Sequence, residues 1–138
     1  MRLFLDSSAY AKRFIEEEGS QKIDDMLLQA SGLGLSIICF PEIISALARR
    51  LREKNISKRD YSLARQRLTE EISDIQIINI TPQVVAGSVR LLESNILRTM
   101  DALHIACALE WEPDLFITSD KQQAKAAEKV KLQTRYIE

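Results

Sequence analysis

Apolar runs alternate with amphipathic stretches along the whole chain. Residues 2–5 (Arg-Leu-Phe-Leu) form a short apolar run stopped by Asp6-Ser7-Ser8, which predicts a buried strand and then a helix-capping turn. Ala9 to Glu18 is expected to be a helix. Gly19-Ser20 ends it and starts another, striped by Ile23, Met26, Leu27 and Ala30. Ser31-Gly32 breaks that second helix. Leu33 to Phe40 is too short for a free-standing helix, so a strand is expected within it. Pro41 suits the first position of a long helix. Its buried side carries Ile43, Ile44, Leu47, Ala48 and Leu51, and Asn55 marks its end. Ser57-x-x-Asp60 resembles a capping box and opens a helix striped by Tyr61, Ala64, Leu68 and Ile72.

Ile75 to Ile80 is rich in β-branched residues and predicts a strand. Thr81-Pro82 opens a helix carrying Val85, Val89, Leu92 and Ile96. Asp101 opens another, apolar nearly all round and therefore expected to be buried. Leu115 to Thr118 predicts a strand, Lys121 to Val130 a helix, and Gln133 to Ile137 a last edge strand. Strands alternating with helices imply an α/β fold with a mostly parallel sheet. No repeat, low-complexity tract or linker divides the chain, so a single domain over residues 1–138 is expected.

Composition narrows the classes. The 46% hydrophobic and 28% charged shares are those of an ordinary globular protein. The longest uncharged stretch, Ala30 to Pro41, is far short of the ~20 residues of a membrane span. No export signal is legible at the N-terminus, so a cytoplasmic protein without a membrane partner is expected. With 19 Lys and Arg against 20 Asp and Glu, the chain is no basic nucleic-acid coat, though a local basic groove is compatible with it. Two cysteines, Cys39 and Cys107, and one histidine, His104, exclude a disulfide framework and a Cys/His zinc site. Both cysteines read as small buried hydrophobes, and His104, on an apolar helix, as a packing or hydrogen-bonding residue.

An open parallel sheet binds its ligand at the carboxyl ends of its strands, near a topological switch point. Four acids fall in that register. Asp6 follows the first strand, Glu42 opens the helix after the second, Asp101 opens the buried helix, and Asp120 follows the Leu115 strand. Singly, Asp6, Asp101 and Asp120 could each be a helix N-cap, and Glu42 could answer a helix dipole. Together at one sheet edge they would repel one another unless a cation or a proton intervened. Carboxylates without His or Cys favour Mg²⁺ or Mn²⁺. Such a site suits phosphoryl chemistry, with the metal neutralising phosphate and activating water. Gly32-Leu-Gly34 lacks a third glycine and no phosphate-binding glycine loop competes.

These residues also carry a resemblance. Leu3-Phe4-Leu5-Asp6-Ser7-Ser8-Ala9 with Lys12, Pro41-Glu42-Ile43 with Ala46-Leu47, Asp101-Ala102-Leu103-His104-Ile105-Ala106, and Phe116-Ile117-Thr118-Ser119-Asp120-Lys121 stand in order along the chain. In this the chain resembles PIN-domain ribonucleases, most of all the VapC-type toxins of toxin–antitoxin pairs. Between Ser57 and Leu97 it matches only in pattern. The resemblance implies a three-layer α/β/α fold with a five-stranded parallel sheet, the first strand central and beside the Leu115 strand. It implies that Asp6, Glu42, Asp101 and Asp120 converge on Mg²⁺ or Mn²⁺, that the substrate is RNA, and that the protein forms a homodimer inhibited by a small antitoxin.

Around the acids, Ser8 and Thr118 are candidates to orient a metal's water shell or a phosphate. Lys12, Arg13, Arg49 and Arg98 are candidate phosphate contacts. An antitoxin helix is expected between the N-terminal helices and the residue 41–55 helix, on a strip of Phe14, Ile43 and Leu47. Two other classes compete. A haloacid-dehalogenase-like phosphatase also begins with Asp after a first strand, but needs an acid where Ser8 stands. A non-catalytic module on the same fold would be marked by loss of an acid.

Overall fold

The computed structural model describes residues 1–138. Five strands form one sheet: β1 (Arg2–Leu5), β2 (Gly32–Ser36), β3 (Gln76–Ile78), β4 (Leu115–Thr118) and β5 (Thr134–Tyr136). Their order is β3-β2-β1-β4-β5, and all four pairings are parallel. The chain winds outward from β1 through β2 to β3, then returns to the other side of β1 for β4 and β5. This reversal makes the gap between β1 and β4 the topological switch point.

Side-chain alternation on the strands splits the core in two. Leu3 and Leu5 of β1 join Leu115 and Ile117 of β4 on one face. Phe4 and Phe116 point to the other, with ring centroids 5.9 Å apart. The first face is covered by α1 (Ser7–Tyr10), α2 (Ser20–Leu28), α3 (Cys39–Arg52) and α4 (Lys58–Ile72), through residues such as Tyr10, Ile23, Leu47 and Leu68. The second is covered by α5 (Pro82–Ser94), α6 (Thr99–Trp111) and α7 (Lys121–Lys129), through Val84, Ile105, Ala126 and their neighbours. The expected α/β/α layering is therefore present. No helix is long and apolar enough to cross a membrane.

Most boundaries follow local chemistry. Ser57 and Asp60 form the capping box of α4, each bonding the other's backbone. Thr81 caps α5 with Pro82 at its first position. Three expectations are corrected. The helix expected over Ala9–Glu18 ends at Tyr10 and continues as a 3₁₀ turn over Ala11–Arg13. The turn brings Lys12 inward, where its ammonium donates to the Glu18 carbonyl at 2.5 Å. Next to it, Arg13 is pulled toward Glu71 of α4 and Asp24 of α2. Second, α3 begins at Cys39, so Pro41 is its third residue; first-turn N–H groups have no intrahelical partner, and proline there costs nothing. Third, α6 begins at Thr99, so Asp101 lies inside the first turn and does not cap it.

Trp111 closes the second layer at the far end of the sheet. It packs against Phe4, with Arg2 4.0 Å from its ring centre, and covers Gly34. A Cβ built on Gly34 would lie 2.8 Å from that ring. Gly34→Ala is therefore expected to cost about 2 kcal/mol by overpacking, readable as a lower urea midpoint at unchanged m-value.

The Arg13–Glu71 pair predicts acid sensitivity. Burial pushes the Glu71 carboxyl up, but the Arg13 hydrogen bond and charge outweigh it and hold the group below its ordinary 4.5. A depressed folded value means that the unfolded chain binds the proton first. The contribution is thus complete above about pH 4.5 and is lost as pH falls through the folded value. Glu71→Gln should cost about 2 kcal/mol at neutral pH, and the gap to the wild type should shrink on acidification. Urea unfolding of both proteins across this pH range checks it; a constant gap would contradict the assignment.

Candidate active site

Asp6 stands where β1 ends, beside the switch point. Its N–H donates to the Ile117 carbonyl at 3.2 Å, extending the β1–β4 ladder by one step. Its backbone is extended, and its carboxylate caps α1 by accepting from the Ala9 N–H at 3.0 Å. The same carboxylate accepts from the Ser8 hydroxyl at 2.8 Å and from the Thr118 hydroxyl at 2.6 Å. Those hydroxyls are themselves placed by backbone: Ser119 N–H donates to Ser8 and Asp120 N–H to Thr118. Asp6 is fully buried. Burial pushes its carboxyl above the ordinary range, and the hydrogen bonds and nearby His104 offset this only in part.

Glu42 lies in the first turn of α3, on the first helix layer, and His104 on α6, on the second. They meet over the sheet edge, with His104 Nε2 2.5 Å from Glu42 Oε1. A carboxylate only accepts, so we place the ring proton on Nε2. The Ser7 hydroxyl donates to the same carboxylate oxygen at 2.7 Å and lies 3.1 Å from Nε2. The other ring nitrogen, Nδ1, is buried without a partner. Burial raises the Glu42 carboxyl, but His104 and Ser7 outweigh it and the net shift is downward. His104 is thus the buried hydrogen-bonding residue that its apolar helix predicts.

Asp101 and Asp120 form the third part. Asp120 caps α7, accepting from Gln122 N–H at 2.8 Å and Gln123 N–H at 3.1 Å. The side-chain amide of Gln123 donates to Asp101 at 3.1 Å, so one glutamine ties the two acids together. Arg98 bridges them on the solvent side, 3.2 Å from Asp101 and 3.9 Å from Asp120.

The structure therefore carries all four acids on adjoining elements at the carboxyl edge of the sheet. The donor set, carboxylates with flanking hydroxyls, is that of a hard divalent ion. No three of these groups come close enough to enclose an ion; Asp6 and Glu42 are each held by their own donors, and Asp101 and Asp120 by a shared glutamine and arginine. The other predicted residues divide. Ser8 and Thr118 hold Asp6. Arg98 reaches the acids, while Arg49 is exposed and pairs only with Glu53 at 4.0 Å. Lys12 and Arg13 are corrected: both are committed to internal partners and are not free for phosphate. Burial pushes the Cys39 thiol up to about 12, in keeping with an inert core residue.

Sequence reasoning missed Ser7 and Gln123. Ser7 was visible as the neighbour of Asp6. Gln123 carried no signal, because its role depends on α6 and α7 lying side by side.

A family profile described as PIN domain matches residues 3–129, and the chain belongs to that family. Among curated proteins no sequence match was found. Solved structures show the same fold at low identity. VapBC2 from Rickettsia felis, bound to a DNA fragment from its promoter, matches with TM-score 0.70 at 14% identity over 100% of both chains. A toxin–antitoxin complex from Klebsiella pneumoniae matches with TM-score 0.67 at 20% identity over 88% of this chain and 90% of that one. VapC20 from Mycobacterium tuberculosis, described as a sarcin-ricin loop cleaving toxin, matches with TM-score 0.70 at 14% identity over 90% and 94%.

Asp6→Asn tests the electrostatics of the site apart from any activity. Asparagine caps as well as aspartate and carries no charge to desolvate. Without metal at neutral pH, the variant should melt no lower than the wild type by calorimetry in EDTA. A clearly lower midpoint would mean that the ionised carboxylate's hydrogen bonds outweigh its burial cost.

Proposed function

We propose that this PIN-domain chain is a divalent-metal-dependent endoribonuclease, the cytoplasmic toxin of a toxin–antitoxin pair. What supports this reading is the placement of Asp6, Glu42, Asp101 and Asp120, from both helix layers, on adjoining elements at the sheet edge by the β1–β4 switch point. These four would hold Mg²⁺ or Mn²⁺. When bound, such an ion neutralises phosphate charge and lowers the pKa of water, giving a nucleophile at neutral pH.

The chain's own residues supply placement. Ser8 and Thr118 fix both oxygens of Asp6 in a water-poor site. Ser7 and His104 fix Glu42 from opposite layers. Gln123 sets the spacing of Asp101 to Asp120. Arg98 is 83% exposed beside these acids and would meet the RNA phosphate there, while Arg49 lies farther along α3 and would contact phosphate only at a distance. A structural relative described as cleaving the sarcin-ricin loop supports an RNA substrate. The phosphatase alternative loses its support in Ser8, which donates to Asp6 where that chemistry needs an acid. A non-catalytic module would not need four acids retained at one edge.

A small antitoxin is the partner in this reading, supported by the toxin–antitoxin complexes among the structural relatives. A groove of about 470 Å³ between the 3₁₀ turn and the α3–α4 hairpin would receive its helix. Phe14, Ile15, Ile56 and Leu63 line it, with the nearly buried Leu47 at its floor; Ile43, also expected on this strip, is buried in the core. A homodimer belongs to the same reading. Exposed Val85 and Val89 on α5, with Met100, support it better than residues 41–72, where Leu63 is the one large apolar side chain left exposed.

The test is purified protein with total RNA, with and without Mn²⁺, and mapping of the cut ends. Cleavage should require the ion, stop on EDTA, and fall by about 100-fold or more in Asp101→Asn, since the acids act as a unit. Metal-independent cutting, or an Asp101→Asn variant as active as the wild type, would refute the assignment.

A further inference from the structure

We propose that the groove between α5 and α7 is a second phosphate-binding surface, a track for the RNA strand beyond the cleaved bond. It rests on the nuclease reading and extends it away from the acids. The groove is about 430 Å³, walled by Ser94 and Asn95 on one side and by Gln122, Lys125 and Lys129 on the other. A neighbouring groove of about 370 Å³ shares Ser94, Asn95 and Lys129 and adds Arg90, so the two are continuous.

The lining of this surface is unbalanced in charge, with Arg90, Lys125 and Lys129 against one acid. Lys12, Arg13, Arg49, Arg67 and Arg98 all lie within 4.0 Å of an acid. Arg90, Lys125 and Lys129, like most of the 19 Lys and Arg, pair with none, so no carboxylate neutralises them. Glu93 is the single acid among the lining residues of both grooves. Lys129 donates to the Ser94 carbonyl at 3.0 Å, which fixes its ammonium over the groove and leaves it two free N–H bonds. Lys125 and Lys129 stand one helical turn apart, ~6 Å along the axis, a spacing near that of successive phosphates in an extended strand. Ser94, Asn95 and Gln122 add uncharged hydrogen-bonding groups.

The track begins at the acids themselves. Gln122 donates its N–H to Asp120, and Arg98, three residues after Asn95, bridges Asp120 to Asp101. A strand whose phosphate lies at Asp101 and Asp120 thus finds Arg98, Lys125, Lys129 and Arg90 in succession. A polyanion is what such a row of unpaired cations attracts, and a single strand releases about 0.7 counterion per phosphate neutralised.

The experiment is fluorescence anisotropy of a labelled mixed-sequence single-stranded RNA in EDTA, over a series of salt concentrations. The wild type is compared with Lys125→Gln/Lys129→Gln and with Lys22→Gln/Lys54→Gln on the first helix layer. Circular dichroism checks that each is folded. Two lost contacts should lower the slope of log K against log salt by about 1.4 and weaken binding about tenfold, with the control pair unchanged. If the wild type binds and cleaves RNA while the Lys125/Lys129 variant keeps the wild-type slope, the track is wrong and the nuclease reading stands. An equal loss in the control pair would also overturn it, as diffuse charge. If the wild type neither binds nor cuts RNA with Mn²⁺, the nuclease reading and the track fail together.

Discussion

Carboxylates packed at one sheet edge repel one another, and the local structure is organised around managing that repulsion. Asp6 is the extreme case, fully buried at the end of the central strand. Two hydroxyls and a backbone N–H converge on it. Glu42 has its own imidazole and hydroxyl, and Asp101 and Asp120 share a glutamine and an arginine. The acids are thus satisfied in three sets, Asp6, Glu42 and the Asp101–Asp120 pair, and no three of them close on a common point.

The donors come from distant parts of the chain because the topology delivers them. Winding outward from β1 and returning to β4 puts Thr118 and Asp120 beside Asp6 across 112 and 114 residues of sequence. The same reversal places α3 and α6 on opposite faces, so Glu42 and His104 can meet only over the edge. Capping and site chemistry are not alternatives here. Asp6 and Asp120 are both N-caps and members of the acidic set. Capping fixes their direction, and the N-terminal ends of α1 and α7 favour their negative charge.

Much of this was legible in the sequence for identifiable reasons. Strands showed as short apolar runs because a parallel sheet is buried on both faces. The acids showed because each follows a strand or opens a helix, and the matching motifs ordered them. What escaped depends on contacts between residues far apart. Lys12 and Arg13 read as free cations on a helix; Glu18 and Glu71 turn them inward, and a 3₁₀ turn has nearly the same short-range period as a helix. Asp101 read as a cap, but α6 starts two residues earlier and frees its carboxylate for Gln123. Ile43 and Leu47 read as an exposed strip, yet α3 buries Ile43 in the core and leaves Leu47 only at the floor of the groove.

In the proposed reading these acids, satisfied in three separate sets, come to share a divalent ion. Isothermal titration of Mn²⁺ into the RNA-free protein, wild type and Asp6→Asn in parallel, tests it most directly. The account predicts saturable binding in the wild type, with protons released if Asp6 is partly protonated beforehand, and loss of binding in Asp6→Asn. Mn²⁺ binding of equal strength in both proteins, or none in the wild type, would contradict it.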